Sequence, residues 1–183
     1  MTKALLIIDI QNDYFAGGAM ELVGSDAAAK NAARILASFR EQGLPVIHVQ
    51  HAALSPTATF FLPGTDGAKI HESVAPIDGE TVITKNFPNA FRGTNLKDVL
   101  DGLNLEQLVV VGMMTHMCID TTVRAASDLG IKVTLVGDAC ATKNLEFDGL
   151  TVPAASVQAA YLAALDGSFA TVVNADSLGD SVS

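Results

Sequence analysis

Short, continuous apolar runs alternate with helical patterns along this chain, and that alternation limits its fold more than any other feature. The stretch LEQLVVVGMMTHMCIDTTVRAASDL shows both halves of the unit. Its β-branched run at residues 108–111 suits a strand buried on both faces. Gly112 ends the run, and Met117, Val123, Ala125, Ala126 and Leu129 then offer a helical apolar stripe. Similar strand runs lie at residues 3–10, 45–50, 81–85, 131–136 and 169–174. Helical stretches fall at 26–42 with Ser25 as cap, at 95–100 with Thr94 as cap, and at 154–165 after Pro153. Six apolar strands separated by helices specify an α/β chain with a parallel sheet covered on both faces. Right-handed crossovers place every strand's C-terminal end on one edge, where such sheets bind ligands.

The chain is one domain by length. Its 183 residues, 49% of them hydrophobic, allow a sizeable core, and no repeat or second domain is visible. No apolar run approaches the roughly 20 residues a membrane span needs. The opening MTKALLIIDIQND reads as a first strand rather than a signal peptide, which places the protein in the cytoplasm. A net charge of −9 with no basic cluster argues against nucleic acid and anionic membrane as partners. Cys118 and Cys140 allow at most one disulfide.

Three reactive side chains close strands or follow them: Asp9, Lys85 and Cys118. Each has a plain reading, as an Asx-turn cap, a solvated strand end and a packed small hydrophobe. Brought together at one sheet edge, they make an activated nucleophile with a base and a cation. Cys118 falls in the first helical turn, with Thr115 as N-cap, where free N–H groups and the helix dipole would lower a thiol pKa. The connections at that edge hold Phe15, Phe60, Phe61, Phe87, Phe91 and Phe147, six of the eight phenylalanines. Some would cover the edge, and the rest would line an apolar pocket for a small molecule. Residues 51–80, rich in Pro, Gly, Ser and Thr, read as one long functional loop.

The pieces ALLIIDIQNDYF, TKNFPNAFRGTNL, VVVGMMTHMCIDTTVRAA and VTLVGDACAT, in that order, resemble the isochorismatase-like cysteine hydrolase superfamily, which includes nicotinamidases and N-carbamoylsarcosine amidohydrolase. The resemblance implies a doubly wound, mostly parallel three-layer α/β/α sandwich and an Asp9-Lys85-Cys118 triad that cleaves an amide or carbamoyl C–N bond through a thioester. It further implies an oxyanion site at the backbone N–H groups of Met114 and Cys118, and a cis peptide at Met113–Met114. Phe15, Phe60, Phe61, Phe91 and His116 are the expected pocket, His116 standing where the family commonly has an acid. Nicotinamidases of the superfamily bind a metal after the second strand. Here that region reads HVQHAAL, without an aspartate, and His48 and His51 should point to opposite faces of a strand, so neither metal nor cofactor is expected. Cys118 favours acyl chemistry over the vinyl-ether cleavage of true isochorismatases, which is the alternative beside a non-catalytic binding protein. Cys140 reads as structural. A homodimer or homotetramer is implied, with the loop at Glu146–Phe147 reaching a neighbouring subunit.

Overall fold

The computed structural model describes residues 2–178. Five strands come first: β1 (Lys3–Ile8), β2 (Val46–His51), β3 (Thr81–Lys85), β4 (Gln107–Met113) and β5 (Val133–Ala141). Helices α1 (Ser25–Glu41), α2 (Leu96–Gly102) and α3 (Asp120–Asp128) connect them, apart from the long loop between β2 and β3. A hairpin of β6 (Leu145–Phe147) and β7 (Leu150–Val152) follows, then α4 (Ala154–Leu165) and β8 (Thr171–Val173). The sheet order is β3-β2-β1-β4-β5-β8, and every neighbouring pair is parallel.

Alternation along β1 explains why its sequence is apolar throughout. Leu5 and Ile7 pack with α1, while Ala4, Leu6 and Ile8 pack with residues of α2 and α3. Each such buried aliphatic side chain contributes about 1.5–3 kcal/mol. The strand order reverses between β1 and β4, so the crevice of a doubly wound sheet lies beyond their C-terminal ends. Among the described residues, no helix is long and apolar enough to cross a membrane.

Several boundaries differ from the sequence reading. β1 stops at Ile8, and Asp9 already turns away with φ 52°. β4 runs through Gly112 to Met113 rather than ending at the glycine. A Cβ on Gly112 would stand 2.0 Å from the Ile8 carbonyl oxygen, so only glycine lets β4 approach β1 this closely. Ser25 is not a cap: its hydroxyl bonds Leu22 O, and Gly24 precedes the helix in a left-handed conformation. The stretch read as a loop after β5 contains the β6-β7 hairpin. Its turn residues Asp148 and Gly149 both have positive φ, the two-residue geometry that an Asp-Gly pair favours.

Candidate active site

Asp9 and Lys85 have completely buried side chains. Asp9 leaves β1 in the left-handed region, which aspartate tolerates better than most residues, and its N–H is tied to Val49 O at 2.9 Å. Lys85 is the last residue of β3 and pairs in register with His51, the last of β2. Its ammonium lies 2.7 Å from Asp9 Oδ2, 3.0 Å from His51 Nδ1 and 3.3 Å from Cys118 Sγ. Three acceptors therefore surround one three-proton donor. Taking two charges out of water costs several kcal/mol per ion, so this ion pair is retained only with such compensation. Beyond Lys85 and the Cys118 thiol, no described group hydrogen-bonds the buried Asp9 carboxylate.

Cys118 is held by an unusual turn. The Met113–Met114 peptide is cis, and Thr115–Ile119 then forms one π-helical turn before α3. Met114 O accepts from the N–H groups of Met117 at 3.0 Å and Ile119 at 3.2 Å, the latter a five-residue π spacing. Thr115 does not cap the helix. Its hydroxyl donates to Gln158 Oε1 at 2.6 Å, and the Gln158 amide in turn donates to Gly137 O at 3.0 Å. Gln158 thus pins the Cys118 turn to β5. The wide turn also rotates the helical stripe: Val123 and Ala126 are buried as expected, but Met117 and Leu129 face solvent.

Electrostatics correct one expectation. The Cys118 thiol is not acidified: burial pushes its pKa up, the Asp9 carboxylate pushes it further, and the Lys85 ammonium only partly opposes them. Burial likewise raises Asp9 against the pull of Lys85. For Lys85, burial works against the charge, but Asp9 and Cys118 outweigh it and hold the pKa above the ordinary value. The resting arrangement is a thiol beside an ion pair, with Asp9 made more basic by its surroundings. Burial, with Lys85 adjacent, lowers His51 to about 4, so its ring is neutral.

Asp9, His51 and Cys118 each offer a ligand atom within 4.8 Å of the others, the only such acidic, cysteine and histidine trio among the described residues. A metal ion there would have to displace the Lys85 ammonium, which already contacts all three. His48 faces the other way and bonds Glu80 Oε2 at 2.8 Å. The side chains present suit an ammonium better than a metal.

A cavity of about 310 Å³ reaches the site at His51 and is otherwise lined by Ala53, Leu54, Ser55, Ala58, Phe60, Asn86 and Phe87; Asp9, Lys85 and Cys118 lie outside this lining. Of the expected pocket, Phe60 is in this lining. Phe61 is instead buried in the core, edge-on to Tyr14 at 4.6 Å. Phe15 is buried in the α1 side of the core and stacked on His71 at 3.7 Å. Phe91 packs against the α2 and α3 side of the core. His116 is bound by Nδ1 to Thr142 Oγ1 at 2.6 Å and is also outside this lining. His51 was weighed only as a metal ligand, Phe87 stood among the edge aromatics but not in the expected pocket, and Gln158 was not singled out by the sequence reading. Only the register that sets His51 beside Lys85 reveals the first, and register is not written in one strand alone.

The family model of the isochorismatase domain matches residues 3–177. The chain is 52% identical over 172 residues to the uncharacterized isochorismatase family protein YddQ of Bacillus subtilis (strain 168), covering 94% of this chain and 96% of that one. It is 30% identical to nicotinamidase 3 of Arabidopsis thaliana, over 89% of this chain and 85% of that one. Among solved structures, a putative isochorismatase hydrolase from Oleispira antarctica superposes with a TM-score of 0.93 at 56% identity, covering 97% and 95% of the two chains. With the sheet, the crevice and these matches agreeing over nearly its whole length, the chain belongs to the isochorismatase family.

Proposed function

We propose that the protein is a metal-free cysteine hydrolase that cleaves the C–N bond of a small amide or carbamoyl compound. The observation that carries this reading is the contact of the Lys85 ammonium with both Asp9 and Cys118 in a buried crevice. Relatives named as nicotinamidase and maleamate amidohydrolase support the same class. Asp9 accepts the Cys118 proton as Sγ attacks the carbonyl carbon, so no free thiolate need accumulate. The backbone N–H groups of Met114 and Cys118 hold the oxyanion, each such donor being worth about 3–4 kcal/mol. Collapse breaks the C–N bond, and Asp9 returns its proton to the leaving nitrogen. Water then attacks the thioester and gives a proton to Asp9, which restores the thiol as the acid departs. Vinyl-ether hydrolysis would leave the sulfur without a role.

A panel of primary amides and carbamoyl compounds assayed for ammonia tests this reading, run beside Cys118→Ala. Release that is lost in Cys118→Ala is expected. Release that survives the substitution would remove Cys118 as nucleophile.

The reading extends to a homo-oligomer working in the cytoplasm. Helix α4 carries no charged residue, and Ala155, Ala159, Ala160 and Ala163 on it face solvent. The hairpin leading into it leaves Phe147 83% exposed. A helix without charge that exposes several alanines suits burial against a second copy. Light scattering that finds only single chains would exclude it.

A further inference from the structure

We infer that His51 orients the substrate: its Nε2–H donates to an acceptor atom on a small neutral amide, placed next to the carbonyl that Cys118 attacks. This inference rests on the nucleophile reading above and adds a residue and a substrate feature to it.

The protonation pattern follows from the neighbour. Lys85 Nζ lies 3.0 Å from His51 Nδ1, and an ammonium can only donate. Nδ1 must therefore carry the lone pair, and the neutral ring has its hydrogen on Nε2. The lowered pKa, about 4, agrees with a ring that stays neutral in ordinary buffers. The backbone fixes the ring's position as well. His51 N–H donates to Gln11 Oε1 at 2.7 Å, and Gln11 Nε2 donates back to His51 O at 2.9 Å. Among the described residues no group accepts from Nε2, while the ring forms part of the 310 Å³ cavity wall.

The rest of that wall says what kind of molecule fits. Ala53, Leu54, Ala58, Phe60 and Phe87 make it largely apolar, and it contains no charged side chain. Arg92 is stacked over the Phe87 ring at 3.7 Å and lies outside the lining. The Lys85 charge is already matched by Asp9. An anionic substrate would meet no uncompensated cation in the wall, and burying an unpaired charge is costly. A neutral amide with a second acceptor near its reacting carbon, such as a neighbouring carbonyl or a ring nitrogen, meets both demands. The Ser55 hydroxyl and the Asn86 amide, the other polar groups of the wall, already bond Thr57 Oγ1 and Ala52 O, so the His51 Nε2–H sets which way round the substrate sits.

Alkylation rates of Cys118, followed by peptide mass spectrometry, separate this role from a general effect on the sulfur. Iodoacetamide carries a carbonyl acceptor beside its reacting carbon, iodoethane has none, and iodoacetate is anionic. Each rate is divided by that of glutathione with the same reagent. His51→Leu is expected to slow iodoacetamide about tenfold, the worth of one hydrogen bond, while iodoethane changes far less. His51→Gln, which keeps a donor and an acceptor, should restore most of the difference. Native protein should also favour iodoacetamide over iodoacetate. Equal slowing of iodoacetamide and iodoethane in His51→Leu would make His51 a support for Lys85 only, and no slowing would remove it from the site. Iodoacetate matching iodoacetamide would overturn the neutral substrate class. If native Cys118 takes none of the three reagents, the nucleophile reading fails and this inference with it.

Discussion

Cys118 and Cys140 are the two free cysteines of the chain, and each is 6% exposed. Burial pushes both thiols upward, Cys140 to about 12. They differ in their company. Cys140 sits in β5 opposite Gly112 and donates only to Val136 O at 3.4 Å. Cys118 sits on a π turn at the sheet edge, with a buried ammonium at 3.3 Å and, beyond it, the Asp9 carboxylate paired with that same ammonium. What sets Cys118 apart from the packed Cys140 is neither exposure nor a lowered resting pKa. It is a proton acceptor and a cation within reach.

The largest expected effect separates the two sulfurs directly. Cys118→Ala should lower amide hydrolysis by on the order of 10⁴-fold, while Cys140→Ala stays within about twofold, both read as ammonia release. Comparable losses in the two variants would erase the contrast. Next comes the acceptor: Asp9→Asn keeps the shape and removes the base, and should cost roughly 10³-fold in kcat. Lys85→Met leaves the Asp9 charge buried without a partner and should destabilise the fold by about 3–5 kcal/mol in urea unfolding. Adding Asp9→Asn to that variant should recover part of the loss, and an unchanged stability in the single variant would break the argument for the ion pair.

Acid should weaken the fold in part through His51. The His51 pKa falls from 6.5 unfolded to about 4 folded, so above pH 6.5 it has no effect on stability. As pH drops below 6.5 the unfolded chain takes the proton first, and stability declines until about pH 4, where the folded ring protonates too. The expected decline is about 2 kcal/mol, allowing for partial solvent contact. His48 is also lowered by burial and contributes in the same direction, so the comparison is native protein against His51→Gln across this range. Equal slopes for the two proteins would refute the His51 assignment. The smallest effect belongs to the packed sulfur: Cys140→Ala should cost only about 1 kcal/mol of stability.

The sheet was legible because its inner strands are buried on both faces, which makes them continuous apolar runs such as residues 108–111. Asp9, Lys85 and Cys118 were legible because each marks where such a run stops or turns. His51 was not, since its importance depends on the β2-β3 register that sets it beside Lys85. Thr115 looked like a cap, but Gln158, 43 residues away, captures its hydroxyl. Phe15 and Phe61 lie in connections, yet they fold back under the loops and are spent on the core. Phe147 went the other way, into a hairpin announced by Asp148 and Gly149 but too short to show an apolar period.

Site-resolved labelling with iodoacetamide at pH 7, followed by digestion and mass spectrometry, addresses the difference between the sulfurs most directly. Cys118 should be modified at least about tenfold faster than Cys140, since Asp9 can take its proton and Cys140 has no acceptor of that kind. Asp9→Asn should remove that advantage. Labelling of Cys140 as fast as Cys118, or a Cys118 rate indifferent to Asp9→Asn, would contradict an aspartate-assisted nucleophile at this site.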